Sequence, residues 1–444
     1  MMKHLAAGAL ALALVAGTHA APARAEDHQV TFATFNASLN RDEEGTLIRD
    51  LSTRDNAQAR NAAETIQRSH ADVILVNEFD HDADGKAVDL FRTNYLEVSQ
   101  RGADPVEYPY AWSGPVNTGV PSGHDLNNDG TVGGPDDAYG FGQFPGQYGF
   151  VVYSKYPIKA DDVRTFQTFL WKDMPDNMIP ADWYTDEELA DVRLSSKTHA
   201  DVPVDVHGQT VHVLAAHPTP PSFDGPEQRN KRRNNDEIRL WADYVSGKAD
   251  YLHDDEGRTG GLPAGSRFVI LGDYNSDPLD GDSVPGSIDQ LLKHPRIIDP
   301  KATSEGAVEA AKQQGGANET HQTDPALDTA DFADDPRPGN IRVDYTLLSK
   351  AGMSVQEAGV FWPVASDPLS RLTGTYPFPT SDHRLVWVRA TLQGADPAPT
   401  PPGPSPSAPA PAPSAPTPAP SAPDASPAPT TPAPSRPGLP STGC

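Results

Sequence analysis

The chain has 444 residues, 46 prolines, one cysteine and a formal net charge of −26. One cysteine excludes an internal disulfide, so packing and bound metals must hold the fold together. The charge argues against tight, sequence-reading contact with DNA, because like charges repel, but leaves room for an enzyme that meets phosphate through cations.

The predicted elements follow in chain order. Lys3 and His4 precede an apolar run from Leu5 to Val15, and Ala23-Arg24-Ala25 is an A-x-A cleavage pattern. This reads as a secretory signal peptide over residues 1–25. The run is shorter than the roughly 18–20 residues that cross a bilayer. Val30–Phe35 alternates as a strand and stops at Asn36. Asn56–His70 has helical spacing, and Val73–Val76 is a buried strand running into Asn77-Glu78. Phe150–Tyr153 is another strand, and Val211–Ala216 ends at His217. Glu227–Ser246 is a polar-faced helix, and Phe268–Leu271 ends at Gly272-Asp273. Arg342–Leu348 and Leu385–Thr391 close the set. Interleaved strands and helices predict an α/β or α+β fold with a mixed sheet. Residues 101–147, rich in Gly, Pro, Asn and Asp, and the polar residues 300–340 read as surface insertions.

The last segment, 395–444, holds 19 of the prolines and reads as an extended stalk. It contributes −1 and the first 25 residues +2, so residues 26–394 carry −27. It closes on Leu439-Pro440-Ser441-Thr442-Gly443, which is similar to an LPxTG cell-wall sorting signal. The apolar and basic residues that such a signal requires afterwards are missing, so free secretion and wall attachment both stand as expectations.

Apolar strands repeatedly end in a carboxylate, amide or imidazole. In α/β folds such groups converge on one rim. In order they are Asn36, Glu78, His217, Asp273 with Asn275, and Asp382 with His383; Asp344 sits inside the strand that begins at Arg342. Taken together, Ala33-Thr34-Phe35-Asn36, Asp72–Glu78, Leu214–His217, Leu271–Asn275, Arg342–Tyr345 and Ser381-Asp382-His383 resemble the endonuclease/exonuclease/phosphatase superfamily. These are the DNase I-like metal-dependent phosphoesterases.

That resemblance implies an α/β (α+β) sandwich of two packed mixed β-sheets flanked by helices. It implies that Glu78 binds Mg²⁺ (or Mn²⁺), with Asn36 and Asp382 nearby, since hard oxygen ligands suit such a cation. His383 becomes the general base on water, oriented by Asp344. Asp273 and Asn275 contact the phosphate, the nucleophile or a second metal, and His217 stabilises phosphoryl charge. Ser38 stands where some members carry an Asp, which counts against a second metal near Asn36. Tyr148, Lys197 and His199 are candidate phosphate contacts.

Within the first insertion, Asp125, Asn127 and Asp129 occupy positions 1, 3 and 5 of an EF-hand-like loop, Gly130 position 6, and Asp136 position 12. Thr131 completes the candidate set for a structural Ca²⁺ in the absence of disulfides. The basic run Arg229–Arg233 is either a phosphate or nucleic-acid contact or a solvated helix face. The expected function is a secreted, monomeric, divalent-metal-dependent phosphoester hydrolase, first of all a phosphodiesterase or nuclease on extracellular nucleic acid. The alternatives are a phosphomonoesterase of small organophosphates and a non-catalytic, wall-attached binding module.

Overall fold

The computed structural model describes residues 26–335 and 337–394. The expected signal peptide, the proline-rich tail with its LPSTG-like end and Cys444 lie outside the described residues.

The strands in chain order are β1 (His28–Leu39), β2 (Val73–Phe79), β3 (Tyr110–Trp112), β4 (Phe150–Ser154), β5 (Arg164–Thr165), β6 (Ala200–Val206) and β7 (Gln209–Ala215). There follow β8 (Arg267–Asp273), β9 (Ile297–Ile298), β10 (Ala330–Asp331), β11 (Asn340–Ile341), β12 (Asp344–Ser349), β13 (Met353–Val360) and β14 (Val386–Leu392). One six-stranded sheet has the order β13-β14-β1-β2-β4-β3, and a second has β5-β6-β7-β8-β12-β9. Each is mixed. β1 runs parallel to β2 and antiparallel to β14, and β7 runs parallel to β8 and antiparallel to β6.

The sheets pack face to face. Val30, Phe32, Val73, Leu75 and Val152 of the first form one buried cluster with Val202, Val204, Val211, Val213 and Leu271 of the second. Each fully buried apolar side chain contributes about 1.5–3 kcal/mol. The alternate residues of the same strands are also apolar, because both faces are covered. Ala33, Phe35, Ile74 and Val76 share a cluster with Ala59, Ala62, Ala63 and Ile66 of the helix Ala57–Ser69. On the far side, Leu214, Phe268 and Ile270 share one with Ile238, Trp241 and Val245 of the helix Arg229–Ser246. Asn56 caps the first helix, its side chain accepting from Ala59 N at 2.9 Å.

The predicted strand positions are met, and the two insertions are more structured than expected. The first contains β3, which pairs with β4 and closes the sheet edge. The second contains the helix Glu305–Gln314 and the hairpin β10–β11, so it is no plain loop. The sequence reading missed β6, where Val202, Val204 and Val206 alternate but Pro203 interrupts the run. Among the described residues no helix is long and apolar enough to cross a membrane.

Candidate active site

The strand ends meet as the sequence pattern requires. β1 and β2 stay in register to Asn36↔Asn77, then shift before Leu39↔Phe79. Asn36 is the last paired residue before this irregularity, and Glu78 sits within it, free of the ladder. Glu78 has φ 55°, and Ser38 (48°), Tyr148 (56°) and Asn275 (51°) are also left-handed. Each costs about 1–2 kcal/mol, and such strain collects at functional sites. In the second sheet Asp273 at the end of β8 pairs directly with Asp344 at the start of β12. His217 lies two residues past the end of β7.

Asp273 is the hub. Its Oδ2 accepts from Asn36 Nδ2 at 3.1 Å and lies 3.4 Å from His217 Nε2 and 3.6 Å from His383 Nε2. Asn275 N donates to its Oδ1 at 2.9 Å. His383 Nδ1 is paired with Asp344 Oδ2 at 2.9 Å. That bond sets the ring and leaves Nε2 directed toward Asp273 at a distance too long for a good hydrogen bond. Asp344 itself is held by Thr329, whose Oγ1 accepts from Asp344 N at 2.9 Å. Phe332 stands edge-on to the imidazole, with ring centroids 5.3 Å apart.

The electrostatics follow from burial and crowding. Burial favours neutral His383, but the charges of Asp344 and Asp273 outweigh it and lift its pKa well above the ordinary value. Burial raises Asp273, with His383 partly offsetting. Burial also raises Glu78; His383 and Asn36 pull it back, and Asp382 and Asp273 add to the rise. His217 is pushed well down by burial, then by the charges of Lys197 and His383. It is therefore neutral, and its Nδ1 is buried without a partner.

The site thus carries more negative charge than it can compensate. Among the described residues, Asp273, Asp344 and His383 form the group whose donor atoms lie within 4.8 Å of one another. His383 and Asp344 are already joined through a proton, so this is a base pair in the acid–base sense rather than a cation cage. The oxygen donors Glu78 and Asp382, with Asn36, match the chemistry of a hard divalent cation, and Glu78 and Asp273 are raised by burial first and by neighbouring carboxylates second. The residues fit the metal.

The remaining predicted residues divide. Tyr148 lies beside Glu78 and Asp80, and its backbone N donates to Asp80 Oδ1 at 3.2 Å. Lys197 is buried and faces Glu237, Glu78 and Asp273. His199 is corrected: its Nδ1 is paired with Ser195 Oγ at 2.7 Å and its Nε2 with Glu237 O at 2.8 Å, so no ring atom is left for a phosphate. Asn275 gives its amide to Pro218 O at 3.1 Å and braces the His217 loop.

In the Asp125–Thr131 turn, Asp125 accepts from Asp129 N and Gly130 N, and Asp129 Oδ1 from Thr131 N at 2.8 Å. Asn127 Oδ1 accepts from Asp129 N at 3.0 Å. Asp136 is exposed; its buried neighbour Asp137 closes the turn instead, accepting from Leu126 N at 2.7 Å and Gly133 N at 2.8 Å. Within the basic run two of the four cations are tied to main-chain carbonyls, while Lys231 and Arg232 stay half-buried on the helix. Arg233 is buried and donates to Leu194 O, Tyr139 O and Arg193 O, and Arg229 reaches Leu126 O and Asp136 O. Both arginines fasten the insertion.

Several supporting residues escaped the sequence reading. Ser38 Oγ meets Ser381 Oγ at 2.9 Å, and Ser381 Oγ donates to Asn36 O at 2.8 Å, so serine at position 38 clasps β1 to the Asp382-His383 loop. Gln58 reinforces that clasp through Ser38 O and Thr380 O. Glu237 takes Ser196 N on one oxygen and Thr219 N on the other. Arg384 pairs with Asp331 at 3.0 Å behind His383. A cavity of about 360 Å³ lined by Lys159, Asp201, His212 and Tyr244 lies apart from all of these.

Residues 33–383 match the model of the endonuclease/exonuclease/phosphatase family. No curated protein sequence matches the chain. Solved structures similar to it include an endonuclease/exonuclease/phosphatase from Beutenbergia cavernae, 17% identical, covering 82% of this chain and 72% of that one, TM-score 0.45. Sphingomyelinase C from Streptomyces griseocarneus is 17% identical over 82% of this chain and 99% of that one, TM-score 0.41. Truncated TDP2 from Caenorhabditis elegans is 15% identical over 83% and 98%, TM-score 0.38. With most of its length matched by the family model, the chain belongs to the endonuclease/exonuclease/phosphatase family.

Proposed function

We propose that the protein is a secreted, divalent-metal-dependent phosphoester hydrolase whose attacking water is activated by the His383–Asp344 pair. The observation that carries this is the 2.9 Å contact between Asp344 Oδ2 and His383 Nδ1, at a rim that also holds Glu78, Asn36, Asp273 and Asp382. His383 Nε2 takes a proton from water as the water oxygen bonds to phosphorus and the ester P–O bond breaks. Asp344 fixes the imidazole orientation and steadies the imidazolium that forms. Asn36 and Asn275 hold Asp273 in place. His217, being neutral, offers a hydrogen bond rather than a charge. Glu78 and Asp382, with Asn36, would hold Mg²⁺ or Mn²⁺, which when bound neutralises phosphoryl charge. The signal-peptide pattern in residues 1–25 supports secretion.

Small, soluble organophosphates are the favoured substrates. The nucleic-acid reading drew on the basic run, and Arg229 and Arg233 are spent on the insertion. The −27 on residues 26–394 then disfavours a polyanion. The test compares small phosphomonoesters and diesters with plasmid DNA and RNA, using the full chain with Mg²⁺. Turnover of a small ester is expected, and is lost with EDTA and reduced about 10³-fold in His383→Ala. Unchanged turnover in His383→Ala overturns the mechanism. Faster degradation of DNA or RNA than of any small ester overturns the substrate preference.

A further inference from the structure

His383 and Asp344 come from different sheets. Asp344 opens β12 of the second, and His383 lies three residues before β14 of the first. Their 2.9 Å contact therefore depends on what fixes the chain around them. One short segment of the second insertion, residues 329–332, touches both. Thr329 Oγ1 accepts from Val343 N and Asp344 N, each at 2.9 Å. Thr329 O accepts from Arg384 N at 2.7 Å and Asp331 N donates to Asp382 O at 2.8 Å, so Ala330 and His383 form an antiparallel bridge. Phe332 lies edge-on to the imidazole.

Arg384 completes the grip, with its side chain fully buried. Nη1 donates to Ser381 O at 3.0 Å and to His383 O at 3.2 Å, and Nη2 donates to Asp331 Oδ2 at 3.0 Å. Asp331 Oδ1 accepts from Gln314 Nε2 at 2.8 Å, at the end of the helix Glu305–Gln314, so both of its oxygens are occupied. The carbonyls of Ser381, Asp382 and His383 are thereby all held, two by Arg384 and one by Asp331 N. His383 N is held too, donating to Ser381 Oγ at 3.0 Å.

Stability alone does not call for this ion pair. Apolar side chains of similar volume commonly replace a buried pair without loss, and Trp362 and Phe378 already give the guanidinium an apolar wall. What an apolar side chain cannot do is donate to the two carbonyls that flank Asp382. A planar guanidinium serves both carbonyls and a carboxylate at once.

We propose that Arg384 and Asp331 are positioning residues, which lock the main chain of residues 381–383 to the second insertion and so set the reach of His383 to Asp344. This rests on the mechanism proposed above.

The experiment measures hydrolysis of p-nitrophenyl phosphate and bis(p-nitrophenyl) phosphate by the full chain with Mg²⁺. It also follows the downfield Nδ1–H proton of His383 by NMR, assigned by its absence in His383→Ala. Arg384→Met is expected to lower kcat about 10²-fold, and Asp331→Asn, which keeps a carbonyl acceptor, about tenfold. KM stays within about twofold in both, because a misplaced base slows the reaction without weakening binding. The Nδ1–H signal is expected to broaden in Arg384→Met. Arg384→Lys is expected to recover only part of kcat, its ammonium being a point donor. The double variant Asp331→Leu with Arg384→Met is expected to match or exceed the native urea midpoint while kcat stays low. Recovery of kcat together with stability overturns the proposal, as does a native kcat in Arg384→Met. Loss of the folded state in both Arg384→Met and the double variant also overturns it, by assigning the pair to folding. If the native chain hydrolyses neither ester, or His383→Ala keeps its turnover, the hydrolytic reading falls by itself. The NMR signal then decides the positioning role, which an unchanged Nδ1–H proton in Arg384→Met overturns.

Discussion

The catalytic rim and the Asp125–Asp137 turn are both built on carboxylates, and they use them in opposite ways. In the turn, backbone N–H groups reach Asp125, Asp129 and Asp137, and most of the segment is exposed. Its charge is screened by water and its oxygens are occupied. At the rim, Asp273 and Asp344 are buried, Asp344 Oδ1 has no partner, and Asp273 and Glu78 are both shifted toward the protonated form by burial. Charge that is buried and short of donors favours a cation or a proton; charge that is solvated and hydrogen-bonded does not require one. Residue spacing drew attention to both regions equally. The difference between them lies in donors and solvent.

The largest effect that tests this difference is at Asp344. Asp344→Asn is expected to lower kcat about 10²–10⁴-fold. Because Asp344 raises the pKa of His383, its removal also moves the acid limb of the pH–rate profile to lower pH. A limb that stays in place separates His383 from the rate. Next is Glu78→Gln. Removing a half-buried carboxylate crowded by Asp382 and Asp273 is expected to raise the melting temperature without metal and to abolish the rise that Mg²⁺ causes in the native chain. A Mg²⁺ response that survives places the cation elsewhere.

Asp328 extends the comparison to a third acidic region. It is 2% exposed, and burial together with Asp277, Asp280 and Asp324 pushes its pKa up to about 9. The folded state therefore holds a proton that the unfolded chain releases near 4, so stability falls as pH rises from about 4 toward 9. Asp328→Asn is expected to flatten that slope and to stabilise the protein at pH 8 by roughly 1–2 kcal/mol, with little change at pH 4. An unchanged slope in urea unfolding would contradict this. The smallest effect is in the turn. Millimolar Ca²⁺ is expected to raise the melting temperature by only about 1–2 °C, and Asp129→Ala to remove that gain. A larger shift would erase the contrast between turn and rim.

Asn36, Glu78, His217 and Asp273 were readable because each closes a short apolar run, whereas Asp344 opens β12 and Asp382-His383 precede β14, so these reach the same edge through antiparallel neighbours. In the structure Asn36, Asp273, Asp344 and His383 are linked by contacts at 3.1, 3.6 and 2.9 Å. Lys197 and His199, two residues apart, had equal standing in the sequence reading. Only the tertiary structure sets His199 apart: Ser195 and Glu237 consume both of its nitrogens.

The same holds for the basic run. Its charge was visible, but whether Arg233 faces solvent depends on the carbonyls of Leu194, Arg193 and Tyr139, which come from segments 39 and more residues away. By itself, the sequence determined the interleaved strands and helices, most of the strand ends and the chemical type of the rim, because hydrophobic periodicity and residue chemistry are local properties; the two-sheet layering was what the family resemblance implied. Which of those groups are left unsatisfied was decided by the tertiary structure alone, because hydrogen-bond satisfaction depends on partners that chain distance does not reveal.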